Sequence, residues 1–294
     1  MHRILVVLFA ALTCTSLPVR GQDFSTPDLR LAQDASLQRG LERTVQGLGL
    51  DHEVAASRLS LALVDVSHGA PPRLAMLNGN HMVYAASLPK IAILLGVLAD
   101  SELGRLTLDA ARLATLTSMI RFSSNDDASR ALSWIGGARL AEILQSERFA
   151  LYDAKVNGGL WVGKAYGKEG AFQLDPLHNL SHGATAFQVA RLYYLLANDA
   201  LLSPRFNALM KDVLSRPGIH HKFVKGLGSR PGVQIFRKSG SWRDFHADSA
   251  LVEFGDKRYI IVGLAQHPSG GQWLEQLAPR MHDLIVASDR IALN

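Results

Sequence analysis

Apolar residues recur with two different periods along the chain, and the changes of period divide it into three stretches. Asp34–Leu48 places Leu37, Leu41, Val45 and Leu48 on one face at helical spacing, which predicts an amphipathic helix. In Leu59-Ser60-Leu61-Ala62-Leu63-Val64 leucine takes alternate positions, the pattern of a strand. Ser67–Pro72 then carries turn residues and Arg73–Leu77 returns as a second strand. A helical middle follows. Ile91–Leu98 is apolar on nearly every side, as in a helix buried through the centre of a lobe. Leu106–Ile120, Ala128–Ile135, Arg139–Gln145, Thr185–Leu196 and Pro204–Leu214 predict further helices. Leu151–Gly183 is glycine-rich, aperiodic and too long for a simple connection, so it reads as a functional loop. Strand patterns return in Val233–Lys238, Ser249–Phe254 and Tyr259–Ala265, with Gly255-Asp256-Lys257 as a tight turn, and Trp273–Ile291 closes as an amphipathic helix.

Strands at both ends with helices between predict an α/β protein of the α+β type. One antiparallel sheet is built from both termini and flanked by helices, with an inserted all-helical lobe. Residues 22–86 and 218–294 make one lobe and 87–217 the other, within a single domain of 22–294. A cleft between lobes is the natural place for a site.

The first residues follow a different pattern. His2-Arg3 is a basic start, Ile4–Leu12 an apolar run, and Val19 and Gly21 flank Arg20 before Gln22-Asp23. This predicts a cleaved export signal over residues 1–21, and a periplasmic or secreted protein. The run is shorter than the ~20 apolar residues of a membrane span, so no transmembrane segment is expected. Cys14, the one cysteine, lies inside it, leaving the mature chain without a thiol, a disulfide or a cysteine metal site. Lipidation at Cys14 is the alternative, but Ala11-Leu12-Thr13 is a poor lead-in for it. The composition, 48% hydrophobic and 19% charged, is that of a globular protein. The net charge of +5 is scattered, densest over Lys222, Lys225, Arg230, Arg237, Lys238 and Arg243. No basic stripe with stacking aromatics is present, so nucleic acid is not an expected partner. The charge makes either a solvated face or a field for an anionic substrate.

Three short motifs carry the candidate chemistry. Ser87-Leu88-Pro89-Lys90 opens the buried helix, and residues three apart share a helix face, so the Lys90 amine can reach the Ser87 hydroxyl. Pro89 is tolerated in a first turn. A lysine beside an apolar run has a lowered pKa, and its neutral form is a usable base. Ser123-Ser124-Asn125 falls at a break between helices, where a hydroxyl can relay a proton and an amide can hold a carbonyl; taken alone, an ordinary helix cap before Asp126-Asp127 explains it better. Lys238-Ser239-Gly240, followed by Ser241-Trp242, ends a predicted strand. There an edge can accept an extended substrate and glycine permits close backbone approach. Each motif alone has a bland explanation. Their order and context do not.

Together they resemble the Ser-x-x-Lys, Ser-x-Asn and Lys-[Ser/Thr]-Gly set of class A β-lactamases and penicillin-binding proteins, over about residues 34–290 and including Met119-Ile120-x-x-Ser123. The resemblance implies the two-lobed serine β-lactamase/D,D-peptidase fold and an acyl-enzyme on Ser87. Lys90 would then be the base and Ser123 the proton relay. Asn125, Lys238, Ser239 and Gly240 would bind substrate, and the Ser87 and Ser241 N–H groups would form the oxyanion hole.

Two departures stand out. The interval from Lys90 to Ser123 is shorter than in typical class A enzymes, so a small hairpin at the lobe hinge is missing. The loop Asn157–Gly183 lacks their Glu-x-x-Leu-Asn, whose glutamate activates the deacylating water; its only carboxylates, Glu169 and Asp175, are the candidate replacements. No cofactor is expected. A minority reading gives zinc to His178, His182 and His246, from spacings of four on a helix or two on a strand. Tyr84 and Trp242 would wall the cleft or pack in the core, and Arg237 or Arg243 would meet a substrate carboxylate, though neither has the family's position. The chain is expected to be a monomer whose partner is a small β-lactam. The alternatives are a peptidoglycan stem peptide, in a D,D-carboxypeptidase or transpeptidase, and a non-catalytic binding module of the same fold.

Overall fold

In the computed structural model, which describes residues 27–167, 170 and 172–287, α1 (Ala35–Gln46) starts where the Asp34 carboxylate accepts from Leu37 N at 2.6 Å. A short α2 (Asp51–Ala55) precedes β1 (Leu59–Asp65), β2 (Arg73–Leu77) and β3 (Val83–Tyr84). The helical lobe begins with α3 (Lys90–Glu102), α4 (Ala110–Arg121), α5 (Asn125–Ile135) and α6 (Gly137–Gln145). Four short strands follow: β4 (Tyr152–Asp153), β5 (Gly158–Gly159), β6 (Trp161–Val162) and β7 (His182–Ala184). The chain ends with α7 (Ala186–Ala197), α8 (Pro204–Leu214), α9 (Phe223–Leu227), β8 (Gln234–Trp242), β9 (Phe245–Phe254), β10 (Lys257–Gln266) and α10 (Gly270–Val286).

The main sheet is antiparallel in the order β2-β1-β10-β9-β8, so both ends of the chain build it, as the patterning predicts. Side chains alternate across it. Leu59, Leu61 and Leu63 of β1, with Tyr259 and Ile261 of β10, pack with Leu37, Leu41 and Leu277 of α1 and α10. Ala62, Val64, Ile260 and Val262 face the other way, into a core shared with α3 and α7. Every residue of α3 from Lys90 to Asp100 is buried, which explains why Ile91–Leu98 shows no polar face. The last predicted helix is realised to Val286, and residues beyond 287 lie outside the described residues. The predicted export segment and Cys14 also lie outside them. Among the described residues no helix is long and apolar enough to cross a membrane.

The long loop is less irregular than its composition suggests. Its β7 pairs with β3 at Tyr84↔Gly183 and with β6 at Trp161↔Gly183. Strands of two or three residues leave no periodic signal in a sequence. This pairing holds the loop beside Tyr84, three residues before Ser87.

Arg237 of β8 and Asp248 of β9 form a bidentate pair, with two N–O distances of 2.8 Å and side chains 2% and 0% exposed. Arg237 also donates to Ile219 O at 2.7 Å and His221 O at 3.2 Å. The arginine expected to meet a substrate carboxylate is instead a buried structural cation. Removing one member of such a pair leaves an uncompensated buried charge, at a cost of roughly 3–5 kcal/mol. Asp248→Ala is therefore expected to lower the stability read from urea unfolding by an amount in that range, and Arg237→Met/Asp248→Ala to recover part of it.

Candidate active site

The turn Ala85–Pro89 delivers Ser87 to the rim of the cleft and Lys90 to the first position of α3. The Lys90 side chain is fully buried; its Nζ donates to Ser123 O at 2.6 Å and to Asn125 Oδ1 at 2.7 Å, and lies 4.6 Å from the Tyr166 ring centroid. Burial pushes this amine down to about 7, with Asp127 pulling weakly in the opposite direction. A neutral amine has two N–H groups, and two acceptors face it. The lone pair is left over. The expected Ser87–Lys90 contact is not a direct hydrogen bond: the Ser87 hydroxyl has no partner among the described residues.

Ser123 sits between α4 and α5 with φ +60°, and Ser124 caps α5 by accepting from Asp127 N at 3.2 Å. The helix cap and the chemical motif are thus both realised, on neighbouring residues. Lys238, on β8, donates from Nζ to Ser123 Oγ at 2.9 Å and to Ser239 O at 2.6 Å. Burial pushes its pKa well down, and the nearby Lys90 adds to the effect. Gly240 has a steric reason to be glycine. A Cβ there would stand 2.3 Å from Ala85 O and 2.7 Å from Ser87 N, so β8 runs against the backbone of Ser87 itself. Ser241 follows, exposed to solvent.

Two residues of the site carry no mark in the sequence. Lys222, 3% exposed and with φ +52°, donates to Gly240 O at 2.6 Å, Ser241 Oγ at 2.8 Å and Ala247 O at 3.1 Å. Burial lowers its pKa to about 8, against the pull of Asp248. Only the density of cations around it pointed this way. Tyr166 is buried with its hydroxyl on Ala86 O at 3.3 Å and its ring centroid 4.1 Å from that of His182. It comes from the part of the loop where periodicity is silent.

The cleft in front of Ser87 measures about 720 Å³. Tyr84, Trp242 and Phe245 wall one part, with the Tyr84 and Phe245 rings edge-to-face at 5.2 Å. Asn125, Tyr166, His182 and Ser241 also line it. Its described lining contains no carboxylate. Glu169 lies outside the described residues. Asp175 is buried away from the cleft, accepting from the Tyr152 hydroxyl and from His178 N at 2.6 Å, so its oxygens hold a turn together. The histidines are dispersed. His178 pairs with Asn157 Oδ1 at 2.9 Å, His182 meets Lys164 O at 3.2 Å, and His246 sits beside Lys222. Burial pushes His182 down to about 4, so its ring is neutral at pH 7. Among the described residues no three histidine, cysteine or acidic side chains converge to hold a metal ion. Arg243 stays at the surface, over the Trp242 ring at 5.7 Å.

Residues 112–286, more than half of the chain, match the model of the β-lactamase enzyme family. No curated protein matches the sequence. Solved structures do. A PBP-A variant in acyl-enzyme complex with penicillin G aligns with a TM-score of 0.64 at 18% identity, covering 85% of this chain and 96% of that one. A β-lactamase from Sphaerobacter thermophilus gives 0.64 at 14%, covering 83% and 96%, and one from Chitinophaga pinensis 0.64 at 16%, covering 86% and 100%. A buried helix that opens on Lys90, an antiparallel sheet closed by both termini and a family match running from α4 to the end of α10 lead to one assignment: the chain belongs to the β-lactamase enzyme family and has the class A β-lactamase fold.

Proposed function

We propose that this protein is an exported serine hydrolase that opens β-lactam rings through an acyl-Ser87 intermediate. The observation that carries this reading is the Lys90 amine: buried, poised near neutrality, and matched by only two acceptors three residues from an unengaged serine hydroxyl. Lys90 takes the Ser87 proton as the Oγ–carbonyl bond forms. The lactam C–N bond then breaks, and the ring nitrogen gains that proton by relay through Ser123 Oγ. Water hydrolyses the ester, releasing the acid and restoring the serine. The substrate's carboxylate goes to the Lys238 side of the cleft. Lys238 has two protein acceptors for three ammonium N–H groups, and buried cations there outnumber the single buried Asp248.

The second reading, a D,D-peptidase that acylates and turns over slowly, is favoured by one observation: Asp175 is engaged elsewhere and the described cleft lining has no carboxylate to activate water. Glu169 is then the remaining acidic candidate of the loop.

Intact-mass measurement after mixing with penicillin G is expected to show a single adduct on the wild type and none on Ser87→Ala. Rapid disappearance of the adduct with product release supports the β-lactamase. An adduct that persists for hours assigns the peptidase reading, and an adduct on Ser87→Ala overturns the nucleophile.

The pH dependence follows from the lowered Lys90 pKa. The base is the neutral amine, so the acylation rate rises with pH and levels off above a midpoint of about 7. Lys90→Arg, which stays protonated, is expected to acylate roughly 10²–10⁴-fold more slowly. A profile flat from pH 5 to 9 would remove Lys90 as the base.

A further inference from the structure

The peptide group ties each N–H to the carbonyl before it. Ala86 C=O and Ser87 N–H lie in one plane and point in opposite directions, as do Gly240 C=O and Ser241 N–H. A donor fixed on the carbonyl oxygen therefore aims the N–H. It also polarises it, because hydrogen bonds in a chain strengthen one another. Both carbonyls are held in this way. Tyr166 donates its phenol to Ala86 O at 3.3 Å, and Lys222 donates its ammonium to Gly240 O at 2.6 Å.

Neither donor is a casual neighbour. Tyr166 is itself fixed by the His182 ring, tilted 35° to its own with centroids 4.1 Å apart, and by Ser129 Oγ, which donates to Tyr166 O at 2.8 Å. Ala86 has φ +51°, a conformation an alanine keeps only when its surroundings impose it. The Ser87 N–H it orients has no hydrogen-bond partner among the described residues, and Gly240 passes directly against it. Lys222 has three acceptors for its three ammonium N–H groups, so its geometry is fully determined.

We infer that Tyr166 and Lys222 are positioning residues of the oxyanion hole, each clamping the peptide whose N–H receives the developing negative charge. Neither touches the reacting atoms. The inference rests on the acyl-Ser87 reading above and deepens it. As charge grows on the carbonyl oxygen, the two N–H groups are already aimed, and the Lys222 charge is transmitted to the oxygen through one peptide unit.

Acylation and the non-covalent binding step that precedes it can be measured separately. With penicillin G, stopped-flow kinetics yield the dissociation constant of the non-covalent complex and the acylation rate constant. Tyr166→Phe and Lys222→Met are each expected to slow acylation about tenfold, a fraction of the 10²–10³ lost when a whole donor is removed. The dissociation constant should stay within about twofold. Phenylboronic acid, whose tetrahedral adduct on a serine places an oxygen in the same hole, should lose affinity by a similar factor, and Lys222→Arg should restore most of the loss. Unchanged acylation and boronate affinity in both variants overturns the inference. So does a loss confined to the dissociation constant in Lys222→Met, which makes Lys222 a ligand of the substrate carboxylate. If Lys222→Met fails to fold, Tyr166→Phe, which removes one hydroxyl, decides alone. A wild type that forms no penicillin adduct defeats the acyl-Ser87 reading itself, an outcome distinct from either.

Discussion

The close approach of β8 to the turn before α3 is the constraint on which the site depends. Gly240 lies so near Ala85 O and Ser87 N that no side chain fits between them. Sheet and central helix are thereby joined at Ser87. The consequences run along the strand. With Gly240 in place, Lys238 reaches across the lobe boundary to Ser123, and Ser241 falls within reach of Lys222. A strand that stopped a few ångströms short would leave the same residues in two unrelated clusters.

Three buried lysines meet at this junction, and their environments differ in a way that sorts their tasks. Lys90 faces two acceptors and has its pKa lowered to about 7, which suits a base that must be neutral. Lys222 faces three and is lowered only to about 8, which suits an ammonium held in place. Lys238 faces two, and burial pushes its pKa well down. Desolvation is the first cause in all three, and a third acceptor is what sets Lys222 apart from the other two. One carboxylate, Asp248, stands against Lys222, Lys238 and Arg237.

Much of this was legible in the sequence because burial has a period. Alternate leucines in β1 and the polar-free run of α3 announce the two faces of the sheet and the central helix. The three motifs pointed to residues that the fold brings together, Lys90 with Ser123 and Asn125 and Lys238 with Ser123, since each needs a particular side chain at a particular turn. What was not legible has a common physical cause: it acts through backbone atoms. Lys222 and Tyr166 both bind main-chain carbonyls, and a carbonyl is offered by every residue. No residue type at a fixed spacing is required to meet one, so no motif records the contact. Arg237 illustrates the converse error. Its position beside Lys238 suggested a substrate ligand, but its partner Asp248 lies on the next strand, eleven residues away, where only the β8–β9 register brings them together.

Among the described residues eleven non-glycine positions have a positive φ, and three of them stand at this junction. Ala86, Ser123 and Lys222 all have left-handed φ values, at +51°, +60° and +52°, and each belongs to a different turn at the cleft. Such conformations cost about 1–3 kcal/mol apiece when no glycine is used. Ser123 and Lys222 use their side chains, the one in a hydrogen bond with Lys238 and the other in bonds to Gly240 O, Ser241 Oγ and Ala247 O. Ala86 has no such excuse, since its methyl group makes no polar contact. What keeps it in place is external: the Tyr166 hydroxyl on its carbonyl and the packing of Gly240 against the next residue. Strain at Ala86 is therefore coupled to both lobes. Under the oxyanion-hole proposal, the free energy stored in that turn is the counterpart of a Ser87 N–H aimed before any substrate arrives.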